Sequence, residues 1–467
     1  MTETKQKSPL TKRAEKAFPA REIILEILLE VTSGREYSHI MIRNVLEKYD
    51  YIKPEDKALI KRISEGTLER MIQLDYVIDQ FSNTKTTKMK PVIVNILRMA
   101  AYQILFMDKI PDSAACNEAV RLAEKKKFFQ LKGFVNGVLR NIIRSKDQIK
   151  YPNPDKNRDL NLSIRYSMPQ WIIKLWDEQY SKALTEQMLE GLLKEHPVVI
   201  RIKESLAKDE KESLLKEMEQ RGISCQQHPY LDYAYRLDHV EGAFMIPGFA
   251  KGTVTIQDVS SMLAVEVAKI RSGMHIIDVC AAPGGKAMLA AEKLSGSGMV
   301  EARDLTDYKT DLINQNIQRM NLTNITAQKA DALVLDSEKI ETVDVVIADL
   351  PCSGLGVIGK KRDIKYHISQ DSIFEITELQ KKILNVVWQY VKCGGALIYS
   401  TCTINKTEND EVVRWFTENY PFELESITES LPEQLRSVDT DEGHLQLMPG
   451  VHETDGFYMA RLVRKKN

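Results

Sequence analysis

The chain has 467 residues, of which 43% are hydrophobic and 28% are charged, a composition typical of a globular protein of about three domains. No apolar run reaches the roughly 18 residues of a membrane span, and the polar start of the chain excludes a secretory signal. Six scattered cysteines without a CxxC pair argue against a disulfide framework and a zinc site. We therefore expect no metal, no membrane partner and a reducing, cytoplasmic location.

The net charge of −1 conceals an asymmetry between two parts of the chain. Residues 1–150 carry 28 Lys and Arg against 19 Asp and Glu, a net charge of +9, whereas residues 151–467 carry a net charge of −10. A basic surface can hold phosphate backbones. A solvated helical surface is equally basic in many proteins, so charge alone leaves both interpretations open.

Residues 16–150 are predicted to form an all-α domain that follows a flexible tail over residues 1–15. Apolar residues recur at helical spacing in five segments. These segments are residues 20–32, 57–81, 92–107, 114–127 and 128–143. The absence of strand-like alternation between them predicts a helical bundle.

Residues 151–255 are predicted to comprise a linker and a small α+β subdomain. Residues 151–157 are rich in proline and polar side chains, as linkers are. Residues 197–202 and 233–237 have the composition of strands, and residues 209–222 have a helical pattern.

Residues 256–467 are predicted to form a Rossmann-like α/β domain, because strands alternate with helices as in a parallel sheet. The predicted strands are residues 275–279, 299–304, 325–329, 343–348 and 396–400, with a late antiparallel pair over 444–448 and 456–463. The predicted helices include residues 286–294 and 309–320. Ligands bind at the carboxyl ends of the strands in such sheets.

A double-glycine turn in the segment Asp278–Lys286 lies between the first of these strands and a helix. Such a turn lets the backbone approach a ligand, and the helix start offers free N–H groups. Asp304 ends the next strand, 20 residues beyond the first glycine, a spacing that suits ribose hydroxyls. Asp331 follows the third strand, where it could bind an adenine edge. Each acid alone is more often a cap or loop residue, but the series Asp304, Asp331 and Asp349 favours a cofactor site. The sequence has no second pyrophosphate-type fingerprint, so a nucleoside cofactor fits better than a dinucleotide.

Two cysteines, Cys352 and Cys402, follow predicted strands, with Pro, Ser, Thr and Gly around them. Free cysteines are usually buried small hydrophobic residues, which we expect of Cys116, Cys225 and Cys393. The two strand-end thiols are instead candidates for covalent catalysis, which needs an accessible thiolate in electropositive surroundings. Four basic residues beyond Cys352 could supply that potential, hold RNA phosphates or form a solvated loop: Lys360, Lys361, Arg362 and Lys365.

Three motifs resemble those of the RNA 5-methylcytosine methyltransferases of the Nol1/Nop2/Sun group. They are DVCAAPGGK at residues 278–286, DLPCSG at residues 349–354, and STCT at residues 400–403 with Glu408, Asn409 and Glu411 behind it. Together these motifs are very specific.

The resemblance is to the RsmB (Sun/Fmu) branch of that group, and it covers nearly the whole chain. Residues 354–366 look like that branch, which acts on small-subunit ribosomal RNA. Residues 117–120 and 134–140 are similar to the NusB-like RNA-binding domain that is fused to it. The resemblance therefore implies a NusB-like role for residues 16–150.

The activity that the resemblance implies is methylation of C5 of a cytidine in 16S rRNA, with S-adenosylmethionine as cofactor. Cys402 would attack C6 of the base, Cys352 would assist release, and Asp349 would hydrogen-bond the cytosine as charge develops. The implied cofactor-binding residues are Cys280, Ala281, Ala282, Pro283, Gly284, Gly285, Lys286, Asp304, Asp331 and Asp349. The implied RNA-binding residues are Lys360, Lys361, Arg362 and Lys365. We expect a monomer whose partner is 16S rRNA.

Two other functions remain as alternatives. A DNA cytosine-C5 methyltransferase would use the Pro-Cys motif after the fourth strand, which would make Cys352 the nucleophile. A non-catalytic RNA-binding assembly factor would need neither thiol. The Thr401-Cys402 motif and the NusB-like segments argue against the first alternative, and the intact glycine, acid and cysteine motifs argue against the second.

Overall fold

The computed structural model of the chain describes residues 19–49, 51–194, 197–240 and 242–466. One compact unit ends at Ile149 and a second begins at Lys150. The expected fold class is confirmed, with an all-α N-terminal part, a small α+β region and a C-terminal Rossmann-like α/β domain. In the part of the chain that the structure describes, no helix is long and apolar enough to cross a membrane.

The described residues up to Ile149 form seven α-helices. They are α1 (Ala20–Thr32), α2 (Ser38–Lys48), α3 (Pro54–Glu69), α4 (Met71–Phe81), α5 (Pro91–Phe106), α6 (Asp112–Lys125) and α7 (Lys132–Ser145). Of the 16 residues in α5, 11 are buried, so this helix lies at the centre of the bundle. The single helix predicted over residues 57–81 is wrong. It is divided at Arg70, whose ψ of 10° leaves the helical range although the apolar spacing continues.

The second unit opens with three helices and a four-stranded sheet. These elements are α8 (Arg158–Arg165), α9 (Gln170–Gln179), α10 (Lys182–Leu192), β1 (Val198–Ile202), α11 (Lys208–Gln220), β2 (Ser224–Gln227), β3 (Ala234–Asp238) and β4 (Val254–Ile256). The sheet is antiparallel in the order β2-β3-β1-β4. Helices α8, α9 and α10 were not predicted from the sequence, and they share a hydrophobic core with Leu355 and Ile404 of the larger domain.

The larger domain is a three-layer α/β structure. Its elements are α12 (Val259–Glu266), β5 (His275–Asp278), α13 (Gly285–Lys293), β6 (Met299–Asp304), α14 (Asp307–Met320), β7 (Ile325–Lys329), β8 (Val343–Asp349), α15 (Ile364–His367), α16 (Gln370–Val387), β9 (Val391–Thr401), α17 (Asp410–Asn419), β10 (Phe422–Leu424), α18 (Val438–Asp441), β11 (His444–Leu447) and β12 (Phe457–Arg464). The strand order is β10-β12-β9-β8-β5-β6-β7, with β11 paired to β12.

Strands β5 to β9 are parallel, and β10 to β12 are antiparallel to their neighbours. Hydrophobic cores cover both faces of this sheet, which is why its parallel strands read as continuous apolar runs. In the register of β8 and β9, Asp349 lies opposite Ser400. The carboxyl ends of all five parallel strands therefore meet at one edge.

The close approach of α3 to α5 gives a prediction about the stability of the N-terminal unit. A Cβ added at Gly66 would lie 2.0 Å from Cζ of Tyr102. We expect Gly66→Ala to destabilise this unit by about 1–3 kcal/mol, because the ring must leave its packed position. Urea unfolding of the full chain, followed by circular dichroism, measures the change.

The matched control is Gly137→Ala in α7. Among the described residues, no heavy atom beyond the chain neighbours and the helix's own nearby backbone lies within 4 Å of a Cβ added there. Alanine should therefore stabilise this helix by roughly 0.5–1 kcal/mol. Equal unfolding curves for the two variants would contradict the packing described here.

Candidate active site

The candidate active site lies at the sheet edge where the parallel strands end. Asp278 is the last residue of β5, Asp304 of β6 and Asp349 of β8. Cys352 follows β8, and Cys402 follows β9 directly. The sheet therefore brings most of the predicted site residues together at one edge.

The glycine loop connects β5 to α13 and is tied to the end of β6. Gly284 has a φ of +105°, a conformation that favours glycine, and α13 begins at the next residue. The N–H of Ala282 donates to Oδ2 of Asp304 at 3.0 Å, and the N–H of Leu305 donates to Oδ1 at 2.8 Å. These bonds fix the Asp304 carboxylate beside the loop, while the first N–H groups of α13 remain available to a ligand.

A half-buried ion pair joins Lys286 to Asp349 at the strand ends. Nζ of Lys286 lies 2.7 Å from Oδ2 of Asp349, and the hydroxyl of Ser400 donates to Oδ1 at 2.9 Å. Burial alone would lower the pKa of Lys286, but the neighbouring Asp349 outweighs it and the pKa is raised. Burial raises the pKa of Asp278 to about 7, against the attraction of Lys286. Lys286 thus stays charged among the carboxyl groups of the site, and a second cation, Lys309, lies 2.9 Å from Oδ1 of Asp304.

The two candidate thiols are in contact, with the Sγ atoms of Cys352 and Cys402 3.1 Å apart. Their hydrogen bond raises the pKa of Cys352, which burial raises further, and it lowers the pKa of Cys402 against the effect of burial. The surrounding charges act on Cys402 in both directions, because Asp349 raises the pKa of Cys402 as it does that of Cys352. Lys361 and Lys286 lower the pKa of Cys402, whereas Glu408 raises that of Cys352. Cys402 is therefore the thiol that ionises first, with Cys352 as the S–H donor.

A buried polar network lies behind the thiols and was not predicted as functional. Ser353 donates its N–H to Oε1 of Glu408 at 2.7 Å and its hydroxyl to Oε2 at 2.6 Å. Nδ2 of Asn405 donates to Oε2 at 3.0 Å, and the hydroxyls of Ser353 and Thr403 lie 2.8 Å apart. The sequence signal that could have indicated this network is that Ser353 and Thr403 each directly follow a candidate cysteine.

Helix α9 supports the loop that follows Cys402. Nε2 of Gln179 donates to Oδ1 of Asn405 at 2.7 Å, and Oε1 of Gln179 accepts the N–H of Lys406 at 3.0 Å. The hydroxyl of Tyr180, just beyond α9, donates to the carbonyl of Ile404 at 2.7 Å. The small region therefore contributes directly to the placement of this loop.

The four candidate RNA-binding residues have different surroundings. Nζ of Lys360 lies 2.7 Å from Oδ2 of Asp258 and 2.8 Å from Oδ2 of Asp455. Lys365 is only 2% exposed, and its Nζ lies over the ring of Tyr366. Lys361 is exposed and Arg362 is half-buried. Lys361 is also the one of the four that lowers the pKa of Cys402.

Other sequence-predicted residues are placed as follows. The side chain of Asp331 is exposed, and its Oδ1 accepts the N–H of Leu333 at 2.9 Å, as in a turn. Cys116 is buried and Cys225 half-buried, but the expectation that Cys393 is buried is wrong. Cys393 is exposed because it lies where the register between β8 and β9 shifts. Among the described residues, no group of three or more His, Cys, Asp or Glu is placed to hold a metal ion.

Comparison with known proteins gives family matches over most of the chain. Residues 265–463 match the family "16S rRNA methyltransferase RsmB/F", residues 19–144 match the NusB family, and residues 168–241 match the ferredoxin-like domain of RsmF/B-like methyltransferases. The chain is 35% identical to the probable ribosomal RNA small subunit methyltransferase B of Bacillus subtilis, over 96% of this chain and all of that one.

The chain belongs to the RsmB family. It is also 31% identical to the ribosomal RNA small subunit methyltransferase B of Vibrio cholerae, over 89% of this chain and 91% of that one. A solved methyltransferase homologue from Pyrococcus horikoshii has the same fold, with a TM-score of 0.55 and 24% identity over 66% of this chain and 99% of that one. The four-stranded sheet is the counterpart of the ferredoxin-like domain of the family.

The contact between the two thiols predicts how the reactivity of Cys402 depends on pH. Cys352→Ala removes the S–H donor that stabilises the Cys402 thiolate, so the pKa of Cys402 should rise. Because the thiolate is the reactive form, alkylation of Cys402 by iodoacetamide should become half-maximal at a higher pH. Peptide mass spectrometry across a pH series measures the rate. Cys225→Ala, in the four-stranded sheet, should leave the profile unchanged, and an unchanged profile in Cys352→Ala would exclude the proposed donor.

Proposed function

We propose that this protein methylates C5 of a cytidine in small-subunit ribosomal RNA, with S-adenosylmethionine as methyl donor and Cys402 as the covalent nucleophile. The observation that carries the proposal is the contact between two thiols of opposite pKa shift beside the Lys286–Asp349 pair. Membership in a family whose relatives are named for small-subunit ribosomal RNA supports the choice of substrate.

The residues present fit an S-adenosylmethionine site. Gly284 adopts a left-handed conformation that brings the backbone close to a ligand, and the N–H groups at the start of α13 suit a carboxylate. The Asp304 carboxylate, held by two N–H groups at the sheet edge, suits the ribose hydroxyls. Asp331 is assigned to the adenine because of its position after β7. The chemistry that the bound cofactor supplies is an electrophilic methyl group.

The residues of this chain activate the base. C5 of cytosine is a poor nucleophile, but addition of the Cys402 thiolate to C6 forms a C–S bond and places an electron pair on C5. Asp349 lies on the same strand-end edge and is held by Lys286 and Ser400, so it can hydrogen-bond the ring or its amino group as charge develops. Once C5 has taken the methyl group, it still carries its original proton.

Release requires loss of that proton and cleavage of the bond between C6 and the Cys402 sulfur. Removal of the C5 proton restores the double bond between C5 and C6 and returns the electron pair to sulfur. We assign to Cys352, which is in contact with Cys402, the role of assisting release. It can accept the C5 proton only as a thiolate, so its own S–H proton must first pass to another acceptor. A target cytidine must be unstacked or single-stranded to reach a site with two half-buried thiols.

RNA contacts are assigned to the basic N-terminal residues and to the loop after Cys352. Residues 16–150 carry the excess of basic side chains and include the NusB-family match. Lys360 and Lys361 are both exposed, but Lys360 is paired with Asp258 and Asp455, so Lys361 is the first candidate for an RNA phosphate. Arg362 is half-buried and Lys365 is buried, so each would have to leave its present surroundings to reach RNA. Neutralisation of phosphates by such residues makes binding sensitive to salt.

The cofactor assignment predicts the effect of Asp304→Ala. Each lost hydrogen bond to a charged group is worth about 1.5–3 kcal/mol, so binding of S-adenosylmethionine should weaken roughly 10- to 150-fold. Isothermal titration calorimetry on the folded variant measures this affinity. Asp307→Ala is the matched control, because Asp307 lies three residues away with an exposed side chain that pairs with Lys329. Equal affinities in the two variants would remove Asp304 from the site.

The thiol assignment predicts different defects for the two cysteines. Cys402→Ala should abolish methylation and form no covalent RNA complex, because no thiolate can attack C6. Cys352→Ala should still attack and methylate but release poorly, so a denaturant-resistant protein–RNA adduct should accumulate. Denaturing gel electrophoresis with substrate RNA and cofactor separates the two results. An adduct from Cys402→Ala and none from Cys352→Ala would reverse the roles and favour the DNA-methyltransferase pattern.

A further inference from the structure

Glu408 is a buried carboxyl group that the proposed chemistry does not use. It lies behind the two thiols, two residues before α17, and none of it is exposed. Burial raises the pKa of Glu408, while hydrogen bonds from Ser353 and Asn405 oppose this rise. A buried carboxyl group is costly unless its oxygens are hydrogen-bonded, so its partners indicate its role.

The partners of Glu408 come from both loops that carry a thiol. Ser353, directly after Cys352, donates its N–H and its hydroxyl to the two carboxyl oxygens. Asn405, three residues after Cys402, donates to Oε2. The Ser353 hydroxyl also lies 2.8 Å from that of Thr403, which directly follows Cys402. Glu408 thus connects the residue after one thiol to the segment after the other.

The backbone near Glu408 is itself fixed to β9. The hydroxyl of Tyr399 donates to the carbonyl of Glu408, and the hydroxyl of Thr401 donates to Oδ1 of Asn409 at 2.6 Å. Both Tyr399 and Thr401 are buried residues of β9. The carboxyl group is therefore a rigid point to which the Cys352 loop is attached.

We propose that Glu408 is a positioning residue that holds the Cys352 loop against the Cys402 loop, and so keeps the two sulfurs in contact for release of the covalent RNA intermediate. The consequence for release rests on the proposed function, whereas the contact between the sulfurs does not. Glu408 is not a catalytic residue, because none of it is exposed and it can therefore touch neither the RNA base nor the cofactor.

The first test measures the contact between the sulfurs without RNA. Diamide oxidises neighbouring thiols: two S–H bonds are lost, one S–S bond forms, and two electrons and two protons reduce the reagent to a hydrazine. The Cys352–Cys402 disulfide should form at least about tenfold more slowly in Glu408→Ala, since a displacement of ~1 Å can cost roughly 100-fold between placed groups. Peptide mass spectrometry of the full chain, after alkylation of the remaining thiols, identifies this disulfide.

The matched control for this test is Glu411→Ala, which removes an exposed carboxylate three residues further along. It should form the disulfide at the rate of the unaltered protein. Equal rates in Glu408→Ala and Glu411→Ala would overturn the proposal. An unaltered protein that forms no Cys352–Cys402 disulfide would also overturn it, because its sulfurs would not be in contact.

The second test measures release. Glu408→Ala should accumulate the denaturant-resistant RNA adduct to a level between those of the unaltered enzyme and Cys352→Ala, with the KM for RNA unchanged. Glu408→Gln keeps an oxygen that can accept the N–H of Ser353, so it should release faster than Glu408→Ala. A purely structural role would instead reduce attack and release together, with less adduct and a smaller active fraction, and that result would overturn the proposal.

A further variant covers the case in which Glu408→Ala does not fold. Ser353→Ala removes the hydroxyl that joins Glu408 to Thr403 and keeps the N–H bond, so it should shift both tests in the same direction by a smaller factor. Failure of the proposed function can be told apart from failure of the Glu408 proposal. If the proposed function is wrong, Cys352→Ala gives no adduct, but the diamide rates still decide whether Glu408 holds the two loops together.

Discussion

The parallel pairing of β8 with β9 is the constraint on which the rest of the site depends. Asp349 lies opposite Ser400 in this register, and the two cysteines follow three and two residues later. A shift of one residue would move one strand by about 3.3 Å and turn its side chains to the other face. The contact between the sulfurs and the bond from Ser400 to Asp349 both require the observed register.

The charges of the site are arranged around that pairing in two groups. The first group is the pair of Lys286 with Asp349, the last residue of β8. The second is Glu408, which lies behind the thiols. Because few of these groups reach solvent, their fields are screened little by water. The two cysteines differ in acidity first because the S–H of Cys352 donates to Cys402, and second because Lys361 and Lys286 lie near Cys402 whereas Glu408 lies near Cys352.

The fold and most of the site could be predicted from the sequence because their signals are local. Apolar runs followed by glycine, acid and cysteine motifs identified the strand ends, and parallel strands bring such ends together. The break at Arg70 could not be predicted, since apolar spacing continues across it. Glu408 stands in a recognised motif, but its hydrogen bonds could not be predicted because its partners, Ser353 and Asn405, belong to loops whose approach depends on the sheet. The ion pairs of Lys360 with Asp258 and Asp455 depend in the same way on residues about 100 positions apart.

The position of β12 has a consequence for the order in which the protein matures during synthesis. This strand is made after every other strand of its sheet, yet it lies between β9 and β10, and the N–H of Gly456, just before it, donates to the carbonyl of Gly356 in the Cys352 loop. A side chain at Gly356 would collide with Gly456, so the two backbones must meet directly. While β12 is still within the ribosome, β9 has an open edge and the loop lacks this support. Each newly made copy would therefore acquire a complete thiol site only after its own translation has passed this strand.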